Sequence, residues 1–253
     1  MPVLFDDGHR FDVTVPVLVV GAGACGLTAA LAARDAGAEV LVIERDATPS
    51  GSTALSSGFI PACGTRFQRA RGIEDSAGVM ARDILRKNHE EADARVVEAL
   101  CRASGATLEW LADSHGIPFV LIEGFLYPGH SVPRMHAVPE KTGAALMAAL
   151  LNACAASGVD ILTSARVEDL AADESRRIRG VRIERGDGAR EEVGCGALVL
   201  ASPGTFTMKG CTAWGWSSPT TARRMLWAPS VRLPTPRGSP PRSECPAMRS
   251  LAP

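Results

Sequence analysis

Val15-Pro16-Val17-Leu18-Val19-Val20 is an apolar run with no polar alternation, closed by glycine. That pattern suits a strand buried on both faces of a parallel sheet. The period then changes: between Ala24 and Ala36 the residues Leu27, Ala30 and Leu31 recur at helical spacing, and Gly37 sits where a C-terminal cap belongs. Glu39 to Glu44 reads as a second buried strand, which completes a β-α-β unit with the expected right-handed crossover.

From Asp46 to Arg71 the chain is rich in Gly, Ser, Thr and Pro and reads as one long loop, of a length that is usually functional or disordered. Helical spacing returns over Glu74 to Glu91, Ala94 to Ser104, Ala106 to His115 and Glu140 to Ser157. Pro118 to Glu123 and Asp160 to Thr163 read as strands. Arg166 to Ala171, Ile178 to Glu184 and Arg190 to Cys195 alternate like an antiparallel meander that turns at Gly186-Asp187-Gly188. Ala197 to Ala201 (ALVLA) reads as one more buried parallel strand. The fold class expected is therefore α/β, with a Rossmann-like parallel sheet and a small antiparallel meander. Residues 1–204 form the expected domain. Residues 205–253 are expected to be an irregular tail, disordered or frame-shifted: residues 206–253 hold eight of the 17 prolines and three of the four tryptophans, with no lasting apolar period.

Composition narrows the class. At 46% hydrophobic and 22% charged the chain can bury a core, and a net charge of -1 argues against a nucleic-acid-binding protein. The balance is uneven, since residues 206–253 carry seven basic residues and one acidic residue. Seven scattered cysteines form no CxxC pair and read as reduced thiols, which points to a cytoplasmic location. The first twelve residues lack the apolar core of a secretory signal, and no run is long enough to span a membrane.

The chemistry sits at the end of the first strand. In Gly21-Ala22-Gly23-Ala24-Cys25-Gly26 the first glycine permits a tight turn, the second lets backbone N–H groups approach a pyrophosphate, and the third allows close helix packing. The helix N-terminus favours an anion, and Glu44 at the end of the next strand can accept hydrogen bonds from ribose hydroxyls. NAD and FAD share this unit. Ser50-Gly51-Ser52-Thr53-Ala54-Leu55-Ser56-Ser57-Gly58 adds small residues and hydroxyls suited to a second phosphate or a flat ring, which favours FAD. Two other readings stand beside it: an NAD-dependent dehydrogenase, and a non-catalytic nucleotide-binding remnant.

Several collinear segments carry a resemblance: Val17 to Glu44, the GSTALSSG loop, Gly64-Thr65, Gly72 to Asp75, Leu108 to Gly116, Arg134-Met135-His136 with the helix after Lys141, Gly158 to Asp160, Ser164 to Val167, and ALVLA. Over roughly residues 13–204 the chain resembles the flavoproteins of the fumarate reductase and succinate dehydrogenase superfamily, and its GSTALSSG loop is especially similar to that of the 3-ketosteroid Δ1-dehydrogenases. The resemblance implies an FAD-dependent oxidoreductase moving hydride between a substrate carbon and flavin N5, with a small-molecule substrate. It implies that Gly21, Gly23, Ala24 and Gly26 hold the pyrophosphate and Glu44 the adenosine ribose. Ser52, Thr53, Ser57 and Gly58 would lie along the pyrophosphate and the N5 edge, Val167 would meet the adenine through its backbone, and Arg45, Ala201 and Gly204 complete the cofactor-binding set.

This chain departs from the family at Ala201-Ser202-Pro203-Gly204, where glycines are usual. Family members are also longer, so a truncated chain with little or no activity is expected, and no catalytic residue is assigned. Among the remaining candidates, His136 is expected to be a hydrogen-bonded structural histidine and Cys25 to be buried in small-residue packing. His89-Glu90-Glu91 reads as a solvated helix face, His115 as a helix-end residue, and Arg223-Arg224 as part of a solvated tail.

Overall fold

The computed structural model describes residues 3–5 and 10–202. Gly204 and the whole expected tail therefore lie outside the described residues. Along the chain come β1 (Val3–Phe5), β2 (Val13–Val20), α1 (Ala24–Asp35) and β3 (Val40–Ile43). A middle segment follows with α2 (Gly51–Leu55), β4 (Ile60–Pro61), α3 (Arg66–Arg69), α4 (Ala77–Lys87), α5 (Ala94–His115), β5 (Val120–Leu121), β6 (Met135–Ala137) and α6 (Gly143–Ala156). The chain then returns through β7 (Asp160–Leu162), β8 (Ala165–Ala172), β9 (Ile178–Arg185) and β10 (Arg190–Leu200). Two compact units result: the described residues up to Pro49 and from Ser157 onward, and the segment Ser50–Ala156 between them.

The first unit is built on a seven-stranded sheet in the order β1-β8-β9-β10-β2-β3-β7. β2 lies between β3 and β10, parallel to both, and β8, β9 and β10 form the antiparallel meander. All four residues of β3 are buried, as their unbroken apolar character requires. Val15, Leu18, Leu41, Ile43, Val181, Ile183 and Val193 pack into a single core cluster. On α1, Leu27, Ala30 and Leu31 are fully inaccessible. Burying each leucine contributes roughly 2 kcal/mol.

The expected ALVLA strand is not separate: it is the second half of β10, which stays parallel to β2 from Val193 to Leu200 while only Arg190–Gly194 pair with β9. The expected break between two helices at Gly105 is also absent, because α5 runs through it. A Cβ at position 105 would lie 2.3 Å from the Cys63 carbonyl oxygen, so this glycine serves close packing rather than termination. The long loop after Asp46 contains α2, β4 and α3. His89 falls beyond the end of α4 in a left-handed turn instead of on a helix face.

The second unit carries a three-stranded sheet, β4-β6-β5, and a buried ionic cluster. Arg134, with no solvent exposure, donates to Asp75 through Nε (2.9 Å) and Nη2 (3.0 Å) and to Asp83 through Nη1 (2.7 Å). Gln68 Nε2 also donates to Asp75, and the Ser131 hydroxyl and amide both donate to Asp83. Burial alone would raise the Asp83 pKa, but the Ser131 and Arg134 hydrogen bonds outweigh it and hold the carboxyl down at about 2.

Removing one partner of such a cluster strands buried charge. Arg134→Met is expected to lower the unfolding free energy by about 3–5 kcal/mol in a urea titration; a loss under about 1 kcal/mol would show that the cluster carries little coupling. Asp83 is depressed below its ordinary value near 3.8, so its contribution is complete above that pH and is lost as pH falls toward 2. His136 is pushed down by burial from 6.5, so the unfolded chain takes the proton first and stability declines as pH drops below that value. Unfolding midpoints measured from pH 8 to pH 3 should show both losses, the histidine step absent in His136→Gln.

Candidate cofactor site

The site begins where β2 stops. Gly21 adopts φ +101°, a conformation that side chains disfavour, and its N–H donates to the Ile43 carbonyl at 2.8 Å, tying the turn to β3. A Cβ there would meet the Ala201 carbonyl oxygen at 3.0 Å. Gly26 is required for a different reason, since a Cβ on it would lie 1.9 Å from the Gly21 oxygen. Gly23, the N-cap of α1, has φ -79° and ψ -179°, which any residue adopts. What it supplies is the absence of a side chain at the helix mouth. No acidic residue occupies the first turn of α1, so the positive end of the helix is not neutralised there.

Glu44 follows β3 and is fixed by backbone donors: Ala22 N–H reaches Oε2 at 2.8 Å and Asp46 N–H reaches Oε1 at 3.0 Å. A carboxylate offers about four acceptor positions, so two remain for hydroxyls of a ligand. The β7–β8 connection closes around the same residue, with Glu44 N–H donating to Leu162 and Ala165 N–H donating to the Glu44 carbonyl. Arg45 is exposed and paired with Asp46 at 3.2 Å. Val167 is half-buried against the sheet core, and the β8 register shifts immediately after it. Ala24 and Ala201 are half-buried at the two ends of the turn, and Ala201 N–H donates to the Val20 carbonyl.

In the second unit the serine loop folds as the short helix α2 with a structured exit. Ser52 and Ser57 are exposed, Thr53 is half-buried, and Gly58 is buried at φ +66°. Sequence reasoning missed the organising residue, Ser56. Its hydroxyl donates to the Thr53 carbonyl (2.7 Å) and accepts from Gly58 N–H (3.0 Å), and its carbonyl accepts from Gly143 N–H (2.8 Å). Gly143 permits that approach, since a Cβ on it would lie 1.8 Å from the Thr53 oxygen. The signal was a serine two residues before a glycine, one of several in a run of small hydroxylic residues.

Other expectations resolve individually. Cys25 is exposed rather than packed in small-residue surroundings, because its position in the first turn of α1 faces away from the sheet that buries Gly26 and Leu27. His136 is fully buried, with Nδ1 at 3.0 Å from the Arg134 carbonyl and Nε2 at 2.9 Å from Thr65 Oγ1. A neutral ring donating from Nδ1 and accepting at Nε2 satisfies both contacts. Among the described residues no group of three His, Cys, Asp or Glu side chains is placed to hold a metal ion, and no helix is long and apolar enough to cross a membrane.

A turn that a Cβ would fill, a helix with no acid in its first turn and a backbone-fixed carboxylate at the neighbouring strand end fit a dinucleotide. The chain belongs to the FAD binding domain family, whose pattern it matches over residues 16–218, and its cofactor is FAD. It is 32% identical over 192 residues to the NADH:fumarate oxidoreductase of Klebsiella pneumoniae, covering 74% of this chain and 20% of that protein. It superposes on the open conformation of a flavocytochrome c3 fumarate reductase with a TM-score of 0.70 and 28% identity, over 75% of this chain and 34% of the other. A 3-ketosteroid-Δ4-(5α)-dehydrogenase from Rhodococcus jostii, solved with 4-androstene-3,17-dione, gives a TM-score of 0.68 and 28% identity, over 79% and 48%. The members of this family are FAD-dependent oxidoreductases. The chain spans 20% to 38% of the length of the curated relatives it matches.

The Gly26 contact gives a direct test of the turn. Gly26→Ala is expected to destabilise the first unit by roughly 1–3 kcal/mol through overpacking, whereas Ala is tolerated at exposed helix positions. Thermal unfolding followed by circular dichroism measures it, and an unchanged midpoint would mean that the turn has room to relax.

Proposed function

We propose that this chain binds FAD as part of an oxidoreductase that exchanges hydride between a substrate carbon and flavin N5, dehydrogenating a carbon–carbon bond or reducing a double bond. The observation that supports it most is the turn itself, in which Gly21 takes a positive φ, Gly26 leaves no room for a Cβ, and Glu44 is held by Ala22 N–H. Bound flavin supplies the two-electron chemistry. The protein's part is to hold and orient it. Gly21, Gly23, Ala24 and Gly26 keep bulky side chains clear of the pyrophosphate at the N-terminus of α1, whose dipole favours an anion. Glu44, with Arg45 beside it, accepts from the ribose hydroxyls, and the backbone at Val167 meets the adenine. Ser52, Thr53, Ser57 and Gly58 are proposed for the same cofactor on their sequence resemblance, and Ala201 on its place beside Gly21.

The substrate class proposed is a small molecule with a carbon–carbon bond next to a carbonyl or carboxylate. Fumarate, named in the activity of the similar Klebsiella pneumoniae enzyme, and 4-androstene-3,17-dione, bound in the Rhodococcus jostii structure, share that feature. Hydride transfer to such a bond is matched by a proton at the adjacent carbon, and no described residue is assigned to deliver it. The chain alone is therefore expected to hold flavin with little turnover.

Flavin absorbance of the purified protein, with FAD and NAD titrated separately, tests the reading. FAD is expected to bind in preference to NAD, and Gly23→Leu, which places a bulky side chain at the helix mouth, is expected to abolish binding. Equal flavin retention by Gly23→Leu would remove that turn from the site. Rapid dye-linked reduction of fumarate by this chain would show that it carries a proton donor this reading leaves unassigned.

A further inference from the structure

Beside Glu44 the first unit has an open groove of about 440 Å³ lined by Arg45, Ser164, Arg166, Glu184, Arg185, Gly186 and Gly188. Its lining carries three guanidinium groups against one carboxylate. Each arginine is already paired: Arg45 with Asp46, Arg185 with Glu191, and Arg166 with both Glu184 and Glu168. The Arg45 and Arg166 pairs are hydrogen bonds through guanidinium N–H groups, which lie in the plane of the group and leave its flat faces uncommitted. Arg166 is held by two carboxylates from adjacent strands, so its position is set before any ligand arrives.

The groove's position follows from the backbone. Ala165 N–H donates to the Glu44 carbonyl at 2.9 Å, and Arg166 is the next residue along β8. Ser164, in a left-handed conformation at φ 52°, accompanies it, and on the other side the β9–β10 turn brings Gly186 close, where a Cβ would lie 3.4 Å from the Ser164 Cβ. A nucleotide whose ribose reached Glu44 would have its base one glycosidic bond away, at this groove.

We propose that Arg166, pinned by Glu184 and Glu168, is a positioning residue that stacks its guanidinium plane on the adenine of the dinucleotide; the inference rests on the FAD reading above. Adenine is uncharged at neutral pH, so the plane of the cation matters more than its charge. Glycines at 186 and 188 leave the opposite wall without bulky side chains, as insertion of a flat ring needs.

Binding of FAD and of FMN, which lacks the adenosine half, is measured by flavin fluorescence for the wild type, Arg166→Met and Arg166→Lys, with thermal midpoints alongside. Arg166 is exposed and its ion pairs lie at the surface, so both variants are expected to fold. FAD affinity is expected to fall roughly 5- to 30-fold in Arg166→Met and by a similar factor in Arg166→Lys, with FMN affinity unchanged. Full FAD affinity in Arg166→Met, or full recovery by Arg166→Lys, would overturn the stacking role while leaving the FAD reading intact. An equal loss for FMN would overturn it too, by showing general damage. A wild-type chain that binds no FAD would instead bring down the parent reading, and this one with it.

Discussion

The first unit depends on a single close approach, that of Gly26 to the carbonyl of Gly21. A strand buried among parallel neighbours must deliver its chain into a helix that packs back on the same sheet, and here only Gly21, Ala22 and Gly23 separate β2 from α1. The turn is tight enough that the third glycine has no room for even a methyl group. Gly21 N–H is meanwhile spent on Ile43, so the turn is tied to the neighbouring strand end. That bond and the one from Ala22 to Glu44 place the carboxylate and the helix mouth in one hydrogen-bonded system. A ligand reaching one is thus presented with the other at a distance fixed by backbone rather than by mobile side chains.

The second unit solves a different problem, that of ordering a segment with very short strands. Its main fixed point is Arg134, which joins Asp75 before α4, Asp83 within α4 and, through its own carbonyl, the His136 ring. Such a cluster is an expensive way to gain stability, because each charge loses its hydration. Its hydrogen bonds are directional, however, and each carboxylate accepts from several donors, which restricts how these elements can be arranged.

What was legible in the sequence follows from how local each determinant is. The β-α-β unit, its three glycines and Glu44 were readable because strand period, turn chemistry and helix period are all written within thirty consecutive residues. The continuity of β10 was not, since Cys195 and Gly196 break the alternation while the backbone runs on beside β2. Gly105 was misread as a helix break because its reason lies in Cys63, far away in sequence. The Arg134 cluster joins residues 51 and 59 positions apart, so no spacing rule marks it. β6 is three residues long and buried throughout, which leaves no alternation to detect. Cys25 shows the converse failure: the motif around it was right, but which face of the first helical turn it occupied was not written in the motif.

The placement of β10 beside β2 also bears on how the chain is made. Asp12 and Glu192 hydrogen-bond across 180 residues of sequence, and β2 has β10 as one of its two neighbours. A ribosome adding roughly 5 to 20 residues per second takes on the order of ten to forty seconds to cover that interval. Throughout it the Val17–Val20 edge that β10 will cover, among the most apolar stretches in the protein, has no partner strand on that side. The intervening segment Ser50–Ala156, a compact unit in its own right, is synthesised entirely within that wait. Completion of the central sheet therefore waits until β10 has been made, and until then the nascent chain carries an open hydrophobic strand edge.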